Sequence, residues 1–319
     1  MNSGFQFSVA HPQSFQSSSV LKLLRNRKLI LLLCLAGLAM QASAAQRVTG
    51  EQLEQILSAA KGKPDRTVAR QLYGLELTES LSPARLSRCE ADVTGRHAKQ
   101  ALMEVADLAA FLEPAAAEIP SRAQPEPEGQ RRMIALVVGY VSTTVHQLPN
   151  LYATRLTTSF RDDLQQSKPP QFVGNYHAIE LYRDAEEVMQ SKANAKVKGL
   201  TTSGEFGPIL GTALLDAGQG NLVWSHWEQG MSGPEAVFHY SVTAEKSHYK
   251  VEKEFTGYKG EIAVDPSNGT ILRLVLRADD PLGMTADILV EYGPVELGGK
   301  TYSCPLKSIA ILGDSSCYG

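Results

Sequence analysis

Trp224-Ser225-His226-Trp227-Glu228 sets an imidazole two residues from a carboxylate in a stretch whose alternation marks a strand. Side chains two apart in a strand share a face, so Trp224, His226 and Glu228 are expected to point the same way. Such a pair can pass a proton as acid and base, or supply half of a metal site. Metal binding is not completed, because no His-x-x-x-His or Cys-x-x-Cys spacing accompanies it. Both tryptophans of the chain, Trp224 and Trp227, sit here, which suits an aromatic lid or plain core packing equally. Three roles therefore stand open for Trp224, His226, Trp227 and Glu228: acid–base chemistry, contact with a ligand, and packing. No residue is assigned as catalytic, and an enzyme using His226 and Glu228 is kept as an alternative. Other chemistry is thinner. No Gly-x-Ser-x-Gly nucleophile elbow occurs, and neighbouring carboxylates such as Asp162-Asp163 or Asp279-Asp280 point apart in extended chain. No cofactor is indicated.

The elements that must hold that stretch are mostly strands. From Asn221 onward short alternating runs follow one another between turn residues. The run 270–277 places Leu272, Leu274 and Leu276 on one face, with Arg273 and Arg277 opposite beside Ile271 and Val275. Asp265-Pro266-Ser267-Asn268-Gly269 is a turn by composition, and Gly298-Gly299 is a two-residue hairpin signal. Strands at 154–161 and 177–183 bring the count to about ten, near the limit at which an open sheet must curl. The fold class expected is α+β: a curled antiparallel sheet of about ten strands, a half-barrel, with helices in its concavity. Two apolar helical segments are available for the hollow, 131–147 and 200–217. In the second, Phe206, Ile209, Leu210, Ala213 and Leu214 form one face, and Phe206 and Leu210 join the candidate ligand-contacting residues.

Ahead of the sheet, residues 45–112 read as small helices. Thr49-Gly50-Glu51-Gln52 matches a capping box, Pro64 suits a first helical position, Ser82-Pro83 opens another helix, and 97–112 carries an apolar stripe. Residues 113–129 hold Pro114, Pro120, Pro125 and Pro127 among glutamates, the composition of an extended linker. The expected division is residues 1–44 as leader, 45–112 as helical region, 113–129 as linker and 130–319 as helix plus sheet.

The leader argues for export. Arg25-Asn26-Arg27-Lys28 precedes an apolar run from Leu29 to Met40, and Ala42-Ser43-Ala44 provides small residues for cleavage. About a dozen apolar residues fall short of the roughly 20 that span a bilayer. The destination expected is the periplasm or the extracellular space, with an uncleaved membrane anchor as the alternative. Removing the leader's four basic residues leaves 27 of the chain's 31 against 34 acidic ones, a balance of −7. That balance argues against nucleic acid, whose binding rests on phosphate neutralisation. In an oxidising compartment Cys304 and Cys317 are candidates for a disulfide, and all three later cysteines remaining reduced is the other reading.

The rhythm of Gly257-Tyr258-Lys259-Gly260-Glu261-Ile262-Ala263-Val264-Asp265-Pro266, then Gly269-Thr270-Ile271-Leu272-Arg273, then Tyr292 to Tyr302 and Pro305, resembles exported proteins with a lipoprotein-carrier-like half-barrel. This covers roughly the last third of the chain. With Leu200–Asp216 and Trp224–Gln229 added, the sequence is also similar, over nearly the whole chain after the leader, to a family of exported acidobacterial proteins, a resemblance that implies export and points to no particular activity. The carrier resemblance implies an acyl chain held in the hollow, by analogy of fold alone. The function expected is non-enzymatic binding of a lipid, another apolar ligand or a partner segment in the envelope. A structural or protein-interaction module is the alternative, with an envelope protein as partner.

Overall fold

The first helix forms where its capping signals place it. β1 (Gln46–Val48) leads into α1 (Gly50–Ala59). The Thr49 hydroxyl accepts from the Gln52 amide at 3.2 Å, and the Thr49 amide donates to the Gln52 side chain at 2.9 Å. α2 (Asp65–Leu72) follows with Pro64 one position outside the expected one, as its N-cap. Next come β2 (Leu75–Leu77), parallel to β1, then α3 (Pro83–Asp92), capped by Ser82, and α4 (Arg96–Leu108). α4 has no cap of its own. Asp65 supplies one from α2, accepting from the amides of His97 and Ala98 and bonding the His97 ring at 2.8 Å. Leu53, Leu57, Leu72, Leu77, Cys89, Ala101 and Leu102 close a core that belongs to this helical region alone.

α5 (Pro127–Thr144) begins four residues before the expected helix, at the last proline of the linker. β3 (Leu151–Arg161), β4 (Gln171–Arg183) and β5 (Glu186–Gln190) form an antiparallel sheet of their own. α6 (Pro208–Ala217) precedes the main sheet, built from β6 (Val223–Gln229), β7 (Pro234–Val242), and, after the two-residue strands β8 (Lys250–Val251) and β9 (Glu254–Phe255), from β10 (Tyr258–Val264), β11 (Ile271–Asp279), β12 (Met284–Leu297) and β13 (Lys300–Asp314). Its order is β13-β12-β11-β10-β7-β6, antiparallel throughout. The computed structural model describes residues 45–144, 149–161, 171–183, 186–190, 208–218, 222–251, 254–279 and 284–314. Among them no helix is long and apolar enough to cross a membrane.

The α+β class and the antiparallel sheet are as expected; the ten-strand half-barrel is not. Among the described residues the largest sheet has six strands, and no sheet is strongly curled. Alternation identifies a strand but not its neighbours, and β3 and β4 pair with each other and β5 instead of extending the main ladder.

Each face of the main sheet has a different cover. On one, Phe238, Tyr240, Ile262, Leu274, Leu276 and Val290 bury against Met133 and Val137 of α5 and Ile209, Leu210 and Ala213 of α6. The β10–β11 turn rests directly on α5. A Cβ on Gly269, whose φ is +78°, would stand 2.3 Å from the Leu136 carbonyl carbon, so glycine is required there on two counts. The opposite face carries the charges: Glu228 stands opposite Glu235, Arg273 opposite Glu291 and Glu291 opposite Lys307, with Glu261 nearby and Val237, Val275 and Leu289 buried between them. The helical region seats on it. Lys307 pairs with Asp107 of α4, and Arg277 donates to the Phe111 carbonyl at 2.6 Å.

Candidate functional site

The tryptophan stretch lies on β6, at an edge of the main sheet, and its geometry departs from simple alternation. Trp224 faces Phe238 and His226 faces Val237 on β7, so Ser225 is an extra residue without a partner. A bulge of this kind shifts the parity of everything beyond it. Trp224 and Trp227 therefore share the apolar side. Their ring centroids lie 4.9 Å apart at 67°, and Trp224 meets Phe238 edge-on at 5.6 Å. His226 and Glu228 point to the polar side without Trp224, which corrects the expected grouping. Trp227 is also held from the linker. Its indole N–H donates to the Ala123 carbonyl at 2.9 Å, and the Arg122 guanidinium lies 4.3 Å from the ring centre.

His226 and Glu228 share a face but not a bond. Arg273, on β11, grips both oxygens of the buried Glu228, at 3.0 and 2.5 Å. A fork-to-fork pair of this type is strong and directional, and it leaves Glu228 unavailable as a base. Glu261 stands 4.0 Å from the same guanidinium. Glu235, opposite Glu228 on β7, is pushed up to about 7 by burial; the positive charge of Arg273 opposes the shift and Glu228 reinforces it. The His226 ring bonds the Ser225 hydroxyl through Nδ1 at 2.8 Å, and its buried Nε2 has no hydrogen-bond partner. His226, Glu228, Glu261 and Arg273 line a cavity of about 60 Å³ between the sheet and the helical region, whose share of the lining includes Ser80, Leu81 and Leu86. That volume suits a few water molecules, and the lining sets apolar side chains such as Leu81, Leu86 and Leu289 beside the charged groups of the sheet. The cations around it are engaged: Arg273 by Glu228, Lys307 by Asp107, and Arg277 by the Phe111 carbonyl. The arrangement fastens the helical region to the sheet through a polar layer. Among the described residues no cluster of three metal-ligating side chains occurs.

Leu210 lies in the core between α6 and the sheet. Phe206 lies outside the described residues. Cys304 is buried in β13, and its suggested partner Cys317 is outside the described residues as well.

Two features escape the sequence. At the end of α6 the Asp216 carboxylate, fully buried, accepts from the His248 amide at 2.9 Å and the Tyr258 hydroxyl at 2.7 Å, and meets His248 Nδ1 at 2.5 Å. Burial pushes this carboxyl up, but the bonds from His248 and Tyr258 outweigh it and hold it below the usual range. The partners are 32 and 42 residues away, so no local spacing reveals the cluster. The second feature is the β3–β4 ribbon. One face carries Tyr152, Leu156, Phe172 and Ile179, exposed by 79, 62, 55 and 42%. The alternation of Tyr152, Thr154, Leu156, Thr158 and Phe160 is visible in the sequence; that this face meets solvent is not.

No family model, no curated protein and no solved structure matches the chain.

Proposed function

We propose that this chain works outside the cytoplasm as a binding protein, meeting an extended protein segment along the β3–β4 ribbon rather than turning over a substrate. The observation that carries the proposal is the solvent-facing row of Tyr152, Leu156, Phe172 and Ile179 on a ribbon whose outer strand, β3, pairs only with β4 among the described residues. An edge strand offers unpaired amides and carbonyls to an incoming strand, and apolar side chains beside it give the added strand somewhere to rest. Contiguous apolar patches of several hundred Å² on soluble proteins mark interaction sites. The site of action follows from the composition of the leader.

Catalysis at His226 draws no support from a partner: Glu228 is committed to Arg273 and His226 to Ser225. An acyl chain beneath α5 and α6, the other binding role considered, would have to displace Met133, Val137, Leu210 and Ala213, none more than 7% exposed. The test is a titration of isotope-labelled protein with short peptides alternating threonine with leucine or isoleucine, followed by NMR. Saturable shifts are expected at 151–161 and their neighbours on β4. Absence of binding, or shifts confined to the main sheet, would remove the proposal.

A further inference from the structure

β3 reads nearly the same from both ends. Around Leu156 the exposed face carries Thr154 and Thr158 at two residues, then Tyr152 and Phe160 at four. We infer that the partner strand is β3 of a second copy of this chain, paired antiparallel with Leu156 at the two-fold axis. This rests on the binding role proposed above and names its occupant.

In that register Leu156 meets Leu156 of the second copy, Thr154 meets Thr158, and Tyr152 meets Phe160. Aromatic pairs and threonine pairs are among the favourable cross-strand combinations, and like charges face to face are unfavourable. The other face puts Arg155 opposite Thr157 and Arg161 opposite Leu151, so no like charges oppose each other. Homodimers about a two-fold need a patch complementary to itself, and this strand supplies one. An arbitrary foreign segment has no reason to match that symmetry.

The two edges of the main sheet are protected in ways that β3 is not. β13 carries Pro305, which has no amide to donate, followed by the unpaired Leu306 of a bulge. β6 is seven residues long and interrupted at Ser225. Proline, bulges and short length are how edge strands avoid pairing. β3 has eleven residues, no proline, and no charge on its exposed face between its ends. At about 3.4 Å per residue it offers an edge of about 37 Å. Multiplied by the roughly 10 Å thickness of a sheet, that edge is about 400 Å² per partner, about half a standard interface, which suits a reversible dimer. The product would be one six-stranded sheet made from two copies of the β3-β4-β5 sheet.

The test combines sedimentation of the purified protein with two cysteine variants. A reversible dimer is expected, and Leu156→Lys, which sets two ammonium groups face to face, should weaken it about tenfold or more with circular dichroism unchanged. Leu156→Cys should cross-link to its counterpart under mild oxidation beyond the parent chain, since opposed Cα atoms of antiparallel strands lie about 4.5–5.5 Å apart, within disulfide reach. Thr158→Cys, facing Thr154, should not. A chain monomeric at its highest soluble concentration, or a dimer indifferent to Leu156→Lys, overturns the inference. If that monomer still binds the alternating peptides, only self-pairing is lost; if it binds none, the proposed function falls with it.

Discussion

At Glu228 the strongest interaction of the polar face is concentrated in one side chain. Removing one partner of a buried ion pair strands the other charge and typically costs about 3–5 kcal/mol, whereas replacing both with apolar groups is often nearly neutral. Glu228→Ala should accordingly lower stability by about that amount in urea unfolding, and Glu228→Met combined with Arg273→Met should lower it less than Glu228→Ala alone. A double variant as damaged as the single one would show that the pair's neighbours, Glu235 and Glu261, depend on the Arg273 charge. The sequence made His226 and Glu228 visible and hid their relation. Glu228 lies 45 residues from Arg273, and one unpaired serine re-aimed Trp224. A residue inserted opposite nothing leaves no mark on composition, so strict alternation misplaced Trp224. The same effect operates on β11, where the unpaired Leu272 puts Ile271 on the face of Leu274.

Elements were legible wherever their determinants are local. Capping at Thr49 and Ser82, the turn at 265–269 and the hairpin at Gly298-Gly299 are short-range signals, and each appears in the structure. Both hairpin glycines have positive φ, at 59° and 78°, as a tight turn with the twist of the flanking strands requires. Strand partnership was not legible, because it is settled by contacts far apart in the chain. The β10–β11 turn ties the two levels together, since its conformation is local and its seat on α5 is not. Gly269→Ala should destabilise by more than about 1 kcal/mol, because it forces a side chain into positive φ and against the Leu136 backbone. Unfolding of this variant in urea at the wild-type midpoint would show that α5 retreats at little cost.

Across the whole molecule, buried carboxyls in the helical region and on the main sheet make stability sensitive to pH near neutrality. Burial pushes Glu104 of α4 up to about 7, with Asp107 adding to it, and pushes Glu235 to about 7 as well. The ordinary value for a glutamate is 4.5, so between there and 7 the folded state holds protons that the unfolded state has released. Stability is therefore full below about 4.5 on account of these two groups and declines as pH rises through 7. Each contributes no more than about 3 kcal/mol, at 1.36 kcal/mol per unit of pH. Asp216 acts in the opposite sense: its depressed value adds stability above the ordinary carboxylate range, lost on acidification. Chemical denaturation at pH 5, 6, 7 and 8 should show a decline that Glu235→Gln makes shallower; an unchanged slope would place the Glu235 carboxyl in solvent.

The packing of the two indoles on β6 governs what a fluorimeter sees. They are the only tryptophans in the chain, they touch each other, and one is clasped by Arg122 and Ala123. Emission from this protein therefore reports on a single spot, where the proline-rich strap meets the sheet. If the strap detaches before the sheet melts, the spectrum will move while far-ultraviolet dichroism stays flat. If the helical region melts first, the dichroism will move and the glow will not.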